Sequence, residues 1–186
     1  MAQLKLITIS GSLRKGSFNS ALARTLPKLA PAGLSISEAP SWASFPIYNA
    51  DDQGASGFPA PVKALSDAIA AVDGVVIVSP EYNYGLPGGL KNAIDWVSRI
   101  DNQPFKDKPV SIMSATGGPL GGSRVQYQWR QVMVFLEAHT FNKPEIFVGG
   151  AHTKFENGEL KDQPTADFIK QHLGAFEAYI RKVSGK

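Results

Sequence analysis

Residues 4–24, LKLITISGSLRKGSFNSALAR, decide the fold of this chain. The apolar run at the start predicts a buried strand, and Leu22, Leu26 and Leu29 recur at helical spacing after it. The loop between them, residues 10–19, is rich in hydrogen-bond donors. The first turn of a helix leaves backbone N–H groups unpaired and its dipole favours negative charge, so the loop is predicted to hold a phosphate monoester. A serine-rich turn that only caps the helix is the alternative.

The sequence of this loop argues against two other nucleotide sites, although Gly11 and Gly16 have the glycine spacing of the second. A dinucleotide fingerprint requires G-x-G-x-x-G, which Gly11 and Gly16 do not fit. A nucleoside-triphosphate loop requires Lys and then a hydroxyl residue after its second glycine, where this chain has Ser17 and Phe18. Hydroxyls and a guanidinium suit a terminal phosphate through charge-assisted bonds. The donors available are Ser10, Gly11, Ser12, Arg14, Lys15, Ser17 and Asn19.

Composition sets the class of protein. The chain has 186 residues, of which 43% are hydrophobic and 19% charged, as in a globular protein with one domain, 1–186. It contains no cysteine, which excludes disulfides and thiol catalysis and is compatible with a cytoplasmic protein. We find no apolar stretch of the ~20 residues that span a bilayer and no signal-peptide pattern, so no membrane association is expected.

The charge pattern favours small anionic ligands. The net charge is +3 and the isoelectric point about 9.1, but Lys and Arg are scattered and form no basic stripe. We therefore expect no nucleic-acid partner. His139, His152 and His172 lack metal-ligand spacing, so no metal site is predicted, and each is interpreted as structural or solvent-facing.

Strand-like and helical patterns alternate along the chain. Five βα repeats with short connections predict an α/β fold, a five-stranded parallel sheet with helices on both faces. The segment 40–59 is rich in Pro, Gly, Ser and Asp and is predicted to be irregular, close to the ligand edge. The predicted strands are 4–10, 34–39, 74–79, 109–115 and 145–148, and the predicted helices are 18–29, 60–71, 88–100, 123–138 and 164–183.

Two further loops follow the third and fourth strands and are predicted to reach the same edge of the sheet, where open α/β sheets bind ligands. In the first, 79–96, Glu81, Tyr82 and Asn83 offer backbone amides, a flat ring and a side-chain amide to a planar heterocycle. A rigid loop held by its prolines is the structural alternative.

In the second loop, 114–124, Thr116, Gly117 and Gly118 could direct backbone N–H groups at a pyrimidine-like ring edge. Negative charge collects at that edge when a flavin is reduced, and preorganised amides stabilise it. A flexible glycine turn is the alternative. Arg124 lies at a predicted helix start, which is unfavourable for a cation unless it meets an acid or anion. Pairing with Glu145 or another carboxylate, in this chain or a partner subunit, and a substrate role both stay open.

These motifs resemble a known family. Residues 10–19, SGSLRKGSFN, and 79–96, SPEYNYGLPGGLKNAIDW, are similar to the NADPH-dependent FMN reductases, a flavodoxin-like group that includes bacterial quinone, chromate and azo-compound reductases. The resemblance extends from Leu4 to about Val148 and is closest to the chromate and quinone reductases. It implies a flavodoxin-like three-layer sandwich with strand order 2-1-3-4-5 and bound FMN.

The resemblance also implies roles for individual residues. Ser10, Ser12, Arg14, Ser17, Phe18 and Asn19 would hold the FMN phosphate and its approach. Pro80, Glu81, Tyr82 and Asn83 would line the isoalloxazine, and Thr116, Gly117 and Gly118 would face its pyrimidine end. Family members are commonly dimers or tetramers, so a homodimer or homotetramer is expected. Plausible interface or pocket-rim residues are Tyr84, Arg124, Tyr127 and Glu145.

The implied activity is an oxidoreductase in which NADPH or NADH gives hydride to flavin N5 and leaves before an acceptor takes the electrons, with ping-pong kinetics. Small-molecule acceptors such as quinones, chromate and azo dyes are expected, and no catalytic side chain is needed because the flavin carries the chemistry. Two alternatives are a flavodoxin-type electron carrier without a nicotinamide site and a non-catalytic mononucleotide-binding module.

Overall fold

The computed structural model describes residues 2–185. The strands of its main sheet are β1 (Leu4–Ser10), β2 (Leu34–Glu38), β3 (Gly74–Val78), β4 (Pro109–Ala115), β5 (His139–Thr140) and β6 (Ile146–Val148). The sheet is parallel throughout, with β2, β1, β3 and β4 side by side in that order and the two short strands β5 and β6 sharing the far edge of β4. This is the predicted order 2-1-3-4-5, with the fifth position divided between two segments.

Helices cover both faces of the sheet. Their bounds are α1 (Phe18–Leu29), α2 (Ala50–Ser56), α3 (Ala60–Ala70), α4 (Gly88–Val97), α5 (Ser123–Phe135), α6 (Ala151–Lys154) and α7 (Gln163–Ser184). Buried side chains of α1 and α7 form one core cluster, and those of α3, α4 and α5 form the other. A small antiparallel hairpin, β7 (Phe155–Glu156) and β8 (Glu159–Leu160), precedes α7. No helix within residues 2–185 is both long enough and apolar enough to cross a membrane.

The two core clusters follow from strand periodicity. Successive side chains of a strand point to opposite faces, so Leu4 and Leu6 pack under α1 and α7 while Ile7 and Ile9 pack on the opposite side. Central strands β3 and β4 are buried along their whole length, which explains their continuous apolar sequences.

The register of the sheet decides where the loops emerge. Ser10 at the end of β1 lies beside Val78 at the end of β3, and Val78 lies beside Met113 of β4. The loops after β1, β3 and β4 therefore leave the sheet at one edge, as predicted.

Several details differ from the sequence prediction, among them the short helix α6, which the sequence did not predict. The fifth strand was predicted at 145–148, and the structure adds β5 before it; Pro144, which lacks an N–H group for the ladder, lies between the two segments. Helix α2 interrupts the segment predicted to be irregular. Helices α4 and α5 end three residues earlier than predicted, at Val97 and Phe135, and the β7–β8 hairpin was not predicted.

The sequence does not predict helix α2, because this helix has no buried residue and hence no apolar periodicity. Local polar groups account for its start. The Asn49 side chain accepts a hydrogen bond from the Asp51 N–H at 3.0 Å, and Asp51 and Asp52 place negative charge in the first turn.

Candidate cofactor site

The loop after β1 forms a closed, donor-rich turn at the start of α1. Ser17 is the N-cap, and its hydroxyl accepts from the Ser20 N–H at 3.3 Å. The buried Ser12 hydroxyl accepts from the Arg14 N–H at 3.4 Å. Each hydroxyl retains its own proton for donation. The backbone N–H groups of the first helical turn have no partner four residues back, and this turn contains no acidic residue.

The two cations of this loop are exposed, and Arg14 folds back over it. A Cβ atom placed on Gly16 would lie 3.2 Å from Arg14 Nη1, so the guanidinium stays above the turn. Lys15 is exposed beside it. Hydroxyl donors, free helix N–H groups and a guanidinium together form a suitable cradle for a phosphate dianion.

Close packing joins this loop to the loop after β3. A Cβ atom on Gly11 would lie 2.9 Å from Pro80 Cδ and 3.2 Å from the Ser79 Cα. Only a glycine allows the two backbones to approach so closely. Pro80 is thereby held against the loop after β1.

A second connection runs from α1 to the end of β4. Asn19 is buried, and its side-chain amide hydrogen-bonds both backbone polar groups of Ala115. One N–H of this amide and its oxygen are both bonded within the protein, and the Phe18 ring packs on Phe155 with 5.7 Å between ring centroids. Both side chains therefore pack inside the protein, and their roles toward the phosphate stay predictions.

A third connection runs from the loop after β3 to α5. Glu81 Oε2 accepts from the Val125 N–H at 3.2 Å, and Oε1 accepts from Arg124 Nη1 at 3.2 Å. The Glu81 side chain is only 10% exposed. A carboxylate at a helix N-terminus compensates the positive end of the dipole and resolves the unfavourable position of Arg124.

The observed partner of Arg124 is thus another carboxylate of this chain. The specific pairing with Glu145 is wrong, because Glu145 pairs with Arg130 Nη2 at 3.2 Å. Arg130 also lies over the Tyr127 ring, 5.2 Å from its centroid. Tyr127 and Glu145 are connected through this arginine and are absent from the residues that line the cavity described below.

A tight turn presents the aromatic side chains. Tyr82 and Gly85 exchange two backbone hydrogen bonds of 3.1 and 2.8 Å, and the central residues Asn83 and Tyr84 have φ of 50° and 62°. Two left-handed central residues are the signature of a type I′ turn, and they store strain where neither is glycine. The Tyr84 carbonyl accepts from Gln128 Nε2 at 2.7 Å.

Tyr84 is also held by its ring. The Arg124 guanidinium carbon lies 4.0 Å from the ring centroid, within the range of a cation–π contact. Tyr82 and Tyr84 are nevertheless 50% and 68% exposed. The turn therefore exposes two aromatic side chains, of which Tyr84 is held in place by Arg124.

An open cavity of about 530 Å³ lies between this turn and the loop after β4. The loop is supported from below, because Ala151 N donates to the Thr116 carbonyl at 2.9 Å and Gly150 N donates to the Gly118 carbonyl at 3.2 Å. The volume of the cavity falls within the range of small-molecule sites. The lining residues are Glu81, Asn83, Tyr84, Thr116, Gly118, Pro119, Leu120, Gly122 and Arg124.

The structure adds Trp42, which the sequence did not single out, and gives a position beside the site to His152, which the sequence interpreted only as structural or solvent-facing. Trp42 donates from Nε1 to the Ser10 carbonyl at 2.8 Å, although the segment 40–59 offered only a composition signal. His152 is exposed beside the loop after β4, where its Nδ1 would lie 3.8 Å from a Cβ atom placed on Gly117. No sequence spacing connects either residue to its neighbour in the site.

The residues present fit FMN. The loop after β1 carries cationic and neutral donors that suit a phosphate, the cavity is large enough for a ring system, and Arg124 compensates the one carboxylate that lines the cavity. Among residues 2–185 no cluster of three or more metal-type side chains occurs. A parallel sheet with a donor-rich loop after its first strand and a cavity at its carboxyl edge is the arrangement of a flavodoxin-like mononucleotide-binding protein.

Comparison with known proteins identifies the family within that class. A family model described as NADPH-dependent FMN reductase matches residues 4–153, and the chain belongs to this family. It is 51% identical over 183 residues to a quinone reductase of Escherichia coli K12, with 97% of each chain covered. It is 43% identical over 183 residues to an NAD(P)H-dependent FMN reductase of Pseudomonas aeruginosa, with 98% of each covered.

Solved structures agree with this placement. The flavoenzyme FerB of Paracoccus denitrificans, an NAD(P)H:(acceptor) oxidoreductase, superposes with a TM-score of 0.85 at 31% identity over 96% of this chain and 98% of FerB. A flavodoxin variant of Pseudomonas aeruginosa superposes with a TM-score of 0.55 at 16% identity over 96% of this chain and 99% of its own, a likeness in fold alone. The flavodoxin-like fold is confirmed.

Proposed function

We propose that the protein is an FMN-dependent NAD(P)H:quinone oxidoreductase. The observation that carries the proposal is the open cavity beside the strained turn. The loop that contains this turn also packs against the donor-rich loop after β1, through Pro80 and Gly11. An electron carrier would need this cavity for its flavin as well, so the enzyme is preferred over the carrier because of the curated relatives. The names of the E. coli and P. aeruginosa relatives support the same activity.

The phosphate of FMN would lie on the loop after β1. The hydroxyls of Ser12 and Ser17 and the first N–H groups of α1 would donate to it, and the Arg14 guanidinium would close over it. Ser10 supports the loop through a 3.0 Å contact between its hydroxyl and that of Ser20. Asn19 and Phe18 would act by fixing the start of the helix.

The isoalloxazine would lie between the loops after β3 and β4. Pro80, Glu81, Tyr82 and Asn83 would line it from one side. Bound FMN would supply the capacity to take two electrons from a nicotinamide and pass them to an acceptor. Backbone N–H groups of Thr116, Gly117 and Gly118 would face its pyrimidine end, where fixed dipoles stabilise negative charge without reorganisation.

Substrates would enter the cavity one after the other, so that ping-pong kinetics would be expected. Its rim combines the Tyr84 ring with the Arg124 guanidinium, so that a planar quinone and the phosphates of NADPH or NADH both find complementary groups. The open shape sets few limits on the acceptor, and chromate and azo compounds are included in the proposal.

The assembly would be a homodimer or homotetramer in the cytoplasm. Tyr127, Val134 and Phe135 are 56%, 73% and 78% exposed on α5, and their spacing places them along one side of the helix. Exposed apolar side chains that share one side of a helix would suit such an interface. Sedimentation velocity at several concentrations tests this, since a monomer throughout would contradict it.

The function is tested by anaerobic absorbance spectroscopy of the purified protein reconstituted with FMN. NADPH or NADH alone should bleach the flavin bands, and a stoichiometric amount of quinone should restore them. Persistent bands would identify an electron carrier instead. Failure to bind FMN at all would remove the cofactor from the proposal, and FMN binding without turnover would identify a binding module.

A further inference from the structure

Strand β2 ends before it can satisfy the last carbonyl of β1. Thr8 is paired with Glu38, and the Ala39 N–H donates to the Thr8 carbonyl at 2.9 Å. In a parallel ladder the next donor in this direction, residue 41, would reach the Ser10 carbonyl. The chain turns away at Pro40, and Trp42 Nε1 donates to Ser10 instead at 2.8 Å. An indole N–H thus replaces the missing backbone bond.

This bond fixes one peptide plane of the phosphate loop. The Ser10 carbonyl and the Gly11 N–H belong to the same planar peptide unit. Trp42 holds the carbonyl at one edge of that unit, and the Val78 carbonyl accepts from the Gly11 N–H at 2.8 Å at the other edge. The loop therefore starts from a peptide clamped on both sides.

The Trp42 ring lies against the first turn of α4. A Cβ atom on Gly89 would approach Trp42 Cζ3 to 2.6 Å and Cη2 to 3.1 Å, so no larger residue fits unless the ring moves. Helix α4 follows the loop that contains Pro80 to Asn83. One side chain therefore contacts both the base of the phosphate loop and the helix after the ring-binding loop.

We propose that Trp42 is a positioning residue for the phosphate loop: its indole N–H orients the Ser10–Gly11 peptide so that the loop is preorganised for the phosphate monoester of FMN. The proposal rests on the proposed function, because it assumes FMN at this loop. Trp42 lies outside the three loops. Its contribution is to the binding of the phosphate and not of the flavin ring.

Riboflavin, which lacks the phosphate, separates the two contributions. The Trp42→Phe variant keeps an aromatic ring against Gly89 but loses the donor to Ser10. We expect its dissociation constant for FMN, from fluorescence titration, to rise about tenfold, and its constant for riboflavin to stay within about twofold of the wild type. The preference for FMN over riboflavin should therefore fall by a similar factor. Gly89→Ala, which displaces the ring, should shift the preference in the same direction.

Trp96→Phe is the matched control. Trp96 lies on α4, and its Nε1 donates to the Pro46 carbonyl at 2.9 Å. This variant therefore removes the same kind of bond, from an indole N–H to a backbone carbonyl, next to the segment that contains Trp42 and without touching the phosphate loop. We expect its melting temperature to fall while its preference for FMN over riboflavin stays unchanged. Circular dichroism of all three variants confirms that the titrated protein is folded.

The outcomes are distinct. Equal losses for FMN and riboflavin in Trp42→Phe, an unchanged preference in that variant, or the same loss of preference in Trp96→Phe would overturn the role of Trp42 and leave the proposed function standing. A wild-type protein that binds FMN no better than riboflavin, or binds neither, would remove the phosphate site itself and with it both proposals.

Discussion

Asn19 and Ala115, 96 positions apart in the chain, are joined by two hydrogen bonds. Asn19 Nδ2 donates to the Ala115 carbonyl at 2.8 Å, and the Ala115 N–H donates to Asn19 Oδ1 at 2.9 Å. Both residues are buried. This amide attaches the start of α1 to the end of β4 and so sets the spacing between the phosphate loop and the loop that follows β4.

Replacing this amide should destabilise the protein. Asn19→Ala leaves a buried N–H and a buried carbonyl without partners, and we expect the free energy of unfolding in urea to fall by about 2–5 kcal/mol. The matched control is Asn92→Ala. Asn92 also makes two bonds, accepting from Tyr48 N and donating to the Pro46 carbonyl at 2.8 Å each, but in a partly exposed place where water can replace it. Equal losses in the two variants would contradict the importance of burial at Asn19.

Removing the guanidinium above the phosphate loop should weaken FMN binding. Arg14→Ala loses a charge-assisted contact worth about 1.5–3 kcal/mol, or about 10- to 150-fold in the dissociation constant. Lys15→Ala removes the same charge from the next position and should change the constant by no more than about threefold. Fluorescence titration with FMN measures both, and an unaltered affinity in Arg14→Ala would show that the phosphate lies elsewhere.

Neutralising the carboxylate that caps α5 should loosen the turn at the cavity. Glu81→Gln keeps an acceptor for the Val125 N–H but removes the charge that faces Arg124 and the helix dipole, so the free energy of unfolding should fall by about 1 kcal/mol. Glu159→Gln is the control, because its bonds to Lys28 and Lys161 are exposed and should contribute little. Urea denaturation at low salt distinguishes the two variants, which would behave alike if the Glu81 charge had no structural role.

His172 should make stability depend on pH. Burial lowers the pKa of its imidazole to about 4, and its ring nitrogens bond the Ser111 hydroxyl at 2.7 Å and the Pro144 carbonyl at 2.6 Å. An unfolded histidine takes up a proton near pH 6.5, whereas the folded one stays neutral until about pH 4. The free energy of unfolding should therefore fall as the pH drops through this window, by about 3 kcal/mol in total.

Urea denaturation between pH 7 and 5 measures this slope before most carboxylates titrate. His172→Gln should be less stable at pH 7 because the buried pair with Ser111 is changed, but its stability should depend less on pH. An identical slope in wild type and variant would assign the pH dependence to other groups.

Local patterns were sufficient for most of the fold. The continuous apolar sequences of β3 and β4 indicate strands that are buried on both faces, and the leucine spacing of α1 indicates a helix that is buried on one face. Burial of these elements can therefore be inferred from the order of apolar and polar residues alone. The boundaries were less certain where polar groups decide them. Helix α2 begins at an Asn49 cap without any buried side chain, and β5 pairs through only two residues next to a proline-containing segment.

The candidate site was predicted in part. The three loops follow strands that the sequence marks clearly, and the structure brings them to one edge of the sheet. Their roles toward FMN stay predictions. Trp42 was missed because its partner is a backbone carbonyl, which every residue possesses, so no residue type or spacing could signal the bond.

The sequence by itself determined the alternation of strands and helices, the three polar loops and the motifs that indicated the family, because each of these is encoded within a short segment. Only the tertiary structure decided the partners: Arg124 with Glu81 rather than Glu145, Asn19 with Ala115, and Trp42 with Ser10. Each of these pairs joins elements more than thirty positions apart. Hydrogen bonds and ion pairs depend on distances of a few ångströms, and those distances exist only after the sheet and its helices have packed.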